Sequence, residues 1–273
     1  MSQDTQPAEL DGALADLAAL VGTYGTLHRK LNASRIPLNG RLPESSLGWD
    51  FSRFQVQDPR ASAVLILFGA LDDVPSRYQD APVPEELDVL LTQRALTLRK
   101  HPGQISFPGG ARDPEDPSAI ACALREAEEE TALDQAGVHV LGTLPEVPLT
   151  VSNFMVTPVV GWWDRPSEVA VVDRAEATRV FRVPVADLID PERRVSAQRR
   201  FGSGPTGHVF TSPAFMVGGT LVWGFTAILL DRMLDLLGWA QPWQRDRYVD
   251  VTDWDATRPL PDVAPPQPGH ARD

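Results

Sequence analysis

The sequence predicts one layered domain of mixed α and β structure. Short apolar runs bounded by glycine, proline or polar residues read as strands, and longer segments repeat apolar residues at helical spacing. The two kinds mix irregularly, which favours an α/β or α+β layered domain over a doubly wound sheet. In chain order, Leu10, Leu14, Leu17, Val21, Tyr24, Leu27 and Leu31 predict an amphipathic helix docked on the domain or on a second subunit, although Gly12, Gly22 and Gly25 weaken it. "LNGRLPESSLGWD" reads as loop, and "SAVLILFGAL" (62–71) as a buried strand. "VPSRYQDAPVPEE" interrupts with three prolines before the strand candidate "LDVLLTQRA". A loop through "LRKHPG", a short strand "QISF" and a turn "PGG" lead to an acidic helix. Strand-like "HVLGTLPEV" and "FMVTPVVGWW" come next, and "ATRVFRVPVADLI" reads as a strand running into a helix. "TLVWGFTAILLDRMLDLLGW" (220–239) reads as a core helix. The last segment, "TRPLPDVAPPQPGHARD", is proline-rich, poor in large apolar groups and expected to be disordered.

Composition narrows the function classes. The 273 residues are 42% apolar and 23% charged, ordinary for a folded chain with a substantial core. The 37 acidic and 25 basic residues give a formal charge of −12, which disfavours binding to a phosphate backbone and excludes nucleic acid as an expected partner. Cys122 is the only cysteine, so no intrachain disulfide can form; it reads as a small buried helix residue suited to a reducing interior. "MSQDTQPAEL" lacks the basic and apolar regions of a signal peptide. Asp231, Arg232 and Asp235 break the 220–239 run, whereas a membrane span needs roughly 20 apolar residues. A cytoplasmic protein without membrane attachment is expected.

The segment "LREAEEETAL" (124–133) places glutamates at 126, 128, 129 and 130. On a helix Glu126, Glu129 and Glu130 share a face and Glu128 points elsewhere. Each like-charged pair costs roughly 0.2–0.5 kcal/mol on an exposed helix unless a cation compensates. Such oxygen ligands suit Mg²⁺ or Mn²⁺, and a solvated acidic face is the competing reading of the helix alone. "SFPGGARDPEDP" precedes the helix with a glycine turn, which lets backbone approach an ion or a phosphate closely. Arg125, elsewhere on the helix circumference, is placed to pair with Asp113, Glu115 or Asp116 in that loop.

"GARDPEDPSAIACALREAEEETAL" resembles the signature of the Nudix hydrolases in Gly110, Asp116, Arg125, Glu126, Glu129 and Glu130. Three departures stand out: Asp116 replaces the usual loop glutamate, the loop-to-arginine spacing is one residue longer, and Ala132 replaces the usual glycine. Upstream, "LLTQRALTLRKHPGQISFPGG" (90–110) is similar to the motif of the coenzyme A pyrophosphatase branch, and "VWGFTA" (222–227) adds a weaker likeness.

The resemblance implies an α/β/α sandwich with a mixed sheet, expected over residues 46–244; the helical extension (1–45) and the proline-rich, disordered tail (245–273) are read from helical spacing and composition and gain nothing from the resemblance. The resemblance also implies Mg²⁺ or Mn²⁺ held by Glu126, Glu129, Glu130 and the Gly110 carbonyl. Arg94, Arg99, Phe107 and Gly109 would meet the substrate, with Lys100 and His101 beside them, and Arg125 would support the catalytic helix. The metal would neutralise pyrophosphate oxygens and acidify a water that attacks one phosphorus in line. Glu129 and Glu176 are both candidates for the general base. The implied substrate is coenzyme A or a thioester, cleaved to 3′,5′-ADP and 4′-phosphopantetheine or its acyl derivative. ADP-ribose or another nucleoside diphosphate derivative is the alternative substrate, and a regulatory module that has lost catalysis is the alternative class. A homodimer through the N-terminal helix is open at this point.

Overall fold

A computed structural model describes residues 6–33, 51, 55–70, 76–98, 101–201, 208–254 and 256–257. The strand predicted at 62–71 is β1 (Arg60–Ala70), and the acidic helix is α2 (Ala119–Thr131). Because side chains alternate along a strand, β1 serves two cores. Ala63, Leu65 and Leu67 pack with Cys122, Ala123 and Ala127 of α2, while Ile66 and Phe68 belong to a larger core on the opposite face. That second core takes in Leu17 and Val21 of α1 (Gln6–Ala33) and Leu229, Leu230 and Met233 of α4 (Phe225–Leu237). Helices therefore cover both faces, which is the expected α/β/α sandwich.

Between these helices the main sheet is mixed. β2 (Leu87–Arg94) pairs antiparallel with β1, with β3 (Ile105–Ser106) and with β8 (Ala177–Pro184). β7 (Phe154–Trp163) lies parallel to β1 over nine residue pairs, and β5 (Val138–Thr143) and β6 (Val147–Leu149) run antiparallel to it. β4 (Gly109–Ala111) pairs with the start of β1, so the glycine turn is bound to the centre of the sheet. A short helix α3 (Val185–Ile189) follows β8 directly, as "VPVADLI" predicts.

Two sequence expectations need correction. The 220–239 segment is not helical throughout: Thr220–Val222 form a strand, β11, and Gly224 at φ 72° turns the chain into α4. The left-handed turn lets one apolar run supply a strand and a helix in succession. The expected tail boundary at 245 is too early, because β12 (Tyr248–Asp250) lies parallel to β9 (Arg194–Phe201). Val249 and Val251 pack there with Val195, Ala197, Ala214 and Leu221 in the core of a second, four-stranded sheet that includes β10 (His208–Val217). The proline-rich residues 258–273 and the expected boundary at 45/46 lie outside the described residues. Of the apolar stripe of α1, Leu17 and Val21 are buried within the chain, and Asp16 accepts a hydrogen bond from the Trp239 indole at 3.0 Å, so the helix docks on its own domain, one of the two placements that the sequence leaves open.

Among the described residues no helix is long and apolar enough to cross a membrane.

Candidate active site

The glycine turn and the acidic helix meet edge to face. Ser118 caps α2 by accepting from the Ala121 N–H at 3.1 Å, and buried Cys122, Ala123 and Ala127 fix the helix's apolar side against β1. The opposite rotation presents Glu126 and Glu130 to the turn. The Gly109 N–H donates to the Glu130 carboxylate at 3.2 Å. Gly110 faces Glu126 so closely that a Cβ built there would stand 2.5 Å from the carboxylate carbon. Small backbone at these two positions is what lets the strand approach the acids.

Arg125 organises the remaining charge. Its guanidinium makes a two-pronged contact with Asp116, at 3.0 and 2.9 Å, and reaches Asp113 at 3.6 Å, which meets the expectation for the loop acids. It also pairs with Glu126 at 3.1 Å and Glu129 at 2.9 Å. The hydrogen bonds from Arg125 and from the Asp113 N–H hold the Asp116 carboxyl well below the usual carboxylate range. The longer loop therefore still delivers its acid to the arginine.

The three helix glutamates stand on one side of α2 but do not converge on a point. Among the described residues, no group of three His, Cys, Asp or Glu side chains is arranged to hold a metal ion. The reason is local: Arg125 draws the carboxylates of Glu126 and Glu129, while Glu130 is turned to Gly109. Burial pushes the Glu130 carboxyl up to about 7, opposed by the Gly109 N–H and assisted by the neighbouring Glu126 charge. Burial likewise raises Glu126, against the attraction of Arg125. Two carboxyls that resist ionisation together, beside a third and beside close backbone, form a hard-oxygen donor set suited to a divalent cation.

A cavity of about 320 Å³ opens beside the turn. Arg94, Phe107, Gly109 and Gly110 line it together, as does His101. Arg94 stands at the end of β2, where a bulge shifts its register against β8, and its buried Nε has no hydrogen-bond partner among the described residues. Its charge acts on Glu130, and so does that of Glu176, an exposed residue on the loop before β8. Arg99 and Lys100 lie outside the described residues. Trp223 and Phe225, ambiguous in sequence between core and ligand contact, are half-buried and border the cavity. So do Leu149, Val151 and Arg199, none of which the sequence singles out. They come from the end of β6, from the loop after it and from the second sheet, and no local motif announces such long-range neighbours.

The sequence matches the NUDIX domain model over residues 81–203, the segment that contains the turn, the acidic helix and Arg94. The Nudix hydrolase NudL of Enterobacter sp. (strain 638), named as uncharacterized, is 37% identical over 194 residues, covering 68% of this chain and 92% of its own length. Its counterpart in Salmonella newport (strain SL254) is 35% identical over 215 residues, covering 76% and 98%. Among solved structures, the Nudix hydrolase RenU of M. smegmatis covers 68% of this chain and 91% of its own at 16% identity and a TM-score of 0.43. The likeness to the NudL proteins runs through almost their whole length and includes the glycine turn and the acidic helix, so this chain belongs to the Nudix hydrolase family, enzymes that hydrolyse the pyrophosphate bond of nucleoside diphosphate derivatives.

Proposed function

We propose that this enzyme cleaves the pyrophosphate of coenzyme A or its thioesters, releasing 3′,5′-ADP and 4′-phosphopantetheine or its acyl derivative, in the cytoplasm. The observation that carries this reading is the single cavity shared by the two motifs: Arg94 and Phe107 of the upstream motif line it with Gly109 and Gly110 of the turn. The NudL relatives share that upstream region, within a likeness covering nearly all of their length.

Glu126, Glu129 and Glu130, with the Gly110 carbonyl, would hold Mg²⁺ or Mn²⁺. When bound, that ion supplies charge neutralisation and Lewis acidity at the diphosphate. Arg94 contributes an unpartnered N–H in a largely apolar cavity, where a phosphate oxygen satisfies it at little cost in desolvation. Phe107 and Gly109 form the wall against which the diphosphate lies. Arg125 keeps the catalytic helix and the Asp116 loop in register through the ion pairs that it already makes. Glu129, exposed at the end of that network, or Glu176, on the facing loop, takes the proton of the attacking water.

The test is a product analysis. The full chain with Mg²⁺ is incubated separately with coenzyme A, ADP-ribose, NADH and nucleoside triphosphates, and products are identified by mass. Release of 3′,5′-ADP from coenzyme A supports the proposal; turnover of ADP-ribose without it overturns the substrate reading. Ligand binding without turnover of any compound would favour a regulatory module.

A further inference from the structure

The chain has a formal charge of −12, yet none of the described residues that line the cavity beside the glycine turn is acidic. Arg94, His101 and Arg199 line it instead, and Arg199 belongs to β9 of the second sheet, far along the chain from both motifs. Side chains alternate along β9, which separates Arg199 from its neighbour. Arg200 is exposed and lies 3.8 Å from Asp250, whereas Arg199 is half-buried at the cavity. Among the described residues Arg199 makes no ion pair and no side-chain hydrogen bond; its guanidinium rests 5.1 Å from the centre of the Phe201 ring, two residues on along the same face. A half-buried guanidinium without a counter-ion attracts an anion, and its planar donors match phosphate oxygens in pairs. The start of α4 stands at the same wall. Trp223, Gly224, Phe225 and Thr226 line the cavity, and Gly224 provides no side-chain cap, so the first N–H groups of this 13-residue helix add positive charge there. Thr226 anchors that end by donating to the Ile105 carbonyl of β3 at 3.0 Å.

We propose that Arg199, aided by the N-terminus of α4, binds a phosphate monoester that the substrate carries in addition to its diphosphate, and that Arg199 thereby selects substrates bearing this group. The proposal rests on the assignment of the diphosphate to the same cavity. On the coenzyme A reading the monoester is the 3′-phosphate, which shares one ribose with the 5′-diphosphate. The two groups then stand a sugar ring apart, and one cavity of about 320 Å³ receives both. Arg94 and the acidic helix serve the diphosphate, so Arg199 takes no part in bond cleavage and acts on specificity alone.

The experiment measures kcat/KM of the full chain with Mg²⁺ on coenzyme A and on 3′-dephospho-coenzyme A, which differ only in the monoester. The wild type should prefer coenzyme A by roughly 10- to 100-fold, the range for a hydrogen bond to a charged group. Arg199→Met should lower kcat/KM on coenzyme A by about that factor, mainly through KM, and on the dephospho compound far less, so that the preference collapses. Arg199→Lys keeps the charge without the paired donors and should recover part of it. Circular dichroism checks the fold, and Arg199→Gln replaces the methionine variant if that one does not fold. No preference in the wild type, or an equal loss on both substrates in the variant, overturns the proposal. If ADP-ribose is turned over and neither coenzyme A compound is, the substrate reading above fails separately. Calorimetry of 3′,5′-ADP against 5′-AMP then decides the site: tighter binding of 3′,5′-ADP that Arg199→Met removes supports it, and equal binding overturns it.

Discussion

The two glycines of the turn are adjacent, yet replacing each by alanine should fail for a different reason. Gly109 has φ 155°, a conformation that residues with a Cβ rarely adopt, and an added Cβ would stand 2.7 Å from the Val64 Cα and 2.9 Å from its Cγ1. The obstacle is the backbone of β1, which cannot retreat because Ala63 and Leu65 are fully buried on the far side. Backbone strain of about 1–3 kcal/mol and overpacking of about 1–3 kcal/mol sum to roughly 4 kcal/mol at their midpoints. At about 2–4 °C per kcal/mol for a domain of this size, Gly109→Ala should lower Tm by roughly 8–16 °C. Gly110 lacks the positive φ, and its added Cβ would meet only the end of the Glu126 side chain, at 2.5 Å. A flexible carboxylate can swing aside, so Gly110→Ala should melt within a few degrees of wild type. The displaced carboxylate should nevertheless cost about 10²-fold in turnover, the order expected from a misplacement of one ångström. Thermal melts and Mg²⁺-dependent product release separate the two effects. A Gly109→Ala protein that melts with wild type, or a Gly110→Ala protein with full turnover, would refute this account of the turn.

Other consequences are equally direct. Glu129→Gln and Glu130→Gln should each lower turnover by orders of magnitude with the fold intact by circular dichroism; near-normal activity in both would remove the metal-helix assignment. Leu17→Ala should destabilise the chain by about 2–5 kcal/mol in urea, since Leu17 is fully buried in the larger core, whereas a detached helical extension would show no change. Ala132 ends α2 at φ 57°, where a Cβ is disfavoured, so Ala132→Gly should raise stability by up to about 1 kcal/mol. The metal-free chain should lose stability as pH rises from 4.5 through about 7, because Glu130 binds its proton more tightly folded than unfolded in that window. Glu130→Gln should flatten that part of the profile, and a profile unchanged by the substitution would show that another group controls it.

Local pattern was enough for the elements around the turn. β1 and β2 are long apolar runs, α2 carries a shared-face spacing that survives folding, and the pairing of Arg125 with Asp116 follows from nearness along the chain. What failed to show was set at a distance. The run at 220–239 has no proline to mark where β11 stops and α4 begins, and only the left-handed Gly224 separates them. β12 has three residues and acquires its strand character from β9, about fifty positions earlier, which no window on the tail can register. The cavity beside the glycine turn was half legible for the same reason. Arg94, Phe107 and the glycines come from one contiguous stretch, while Leu149, Val151 and Arg199 arrive from other elements.

The charge arrangement explains why the acidic helix tolerates its own repulsion. Glu126, Glu129 and two loop acids all lean on one guanidinium, so Arg125 meets more carboxylate than its single charge neutralises. Asp116 has the strongest claim, with two short hydrogen bonds in a buried position. Glu129 has the weakest, being mostly exposed and held by one contact from a residue one helical turn away. Glu130 stands outside the network, supported by one backbone N–H and raised toward neutrality. A cation binding on this face would therefore compete with Arg125 for Glu126 and Glu129 without breaking the Asp116 contact that anchors the loop. The helix can exchange one positive neighbour for another while its frame is preserved, and a substitution at Arg125 should unseat the loop as well as the acids.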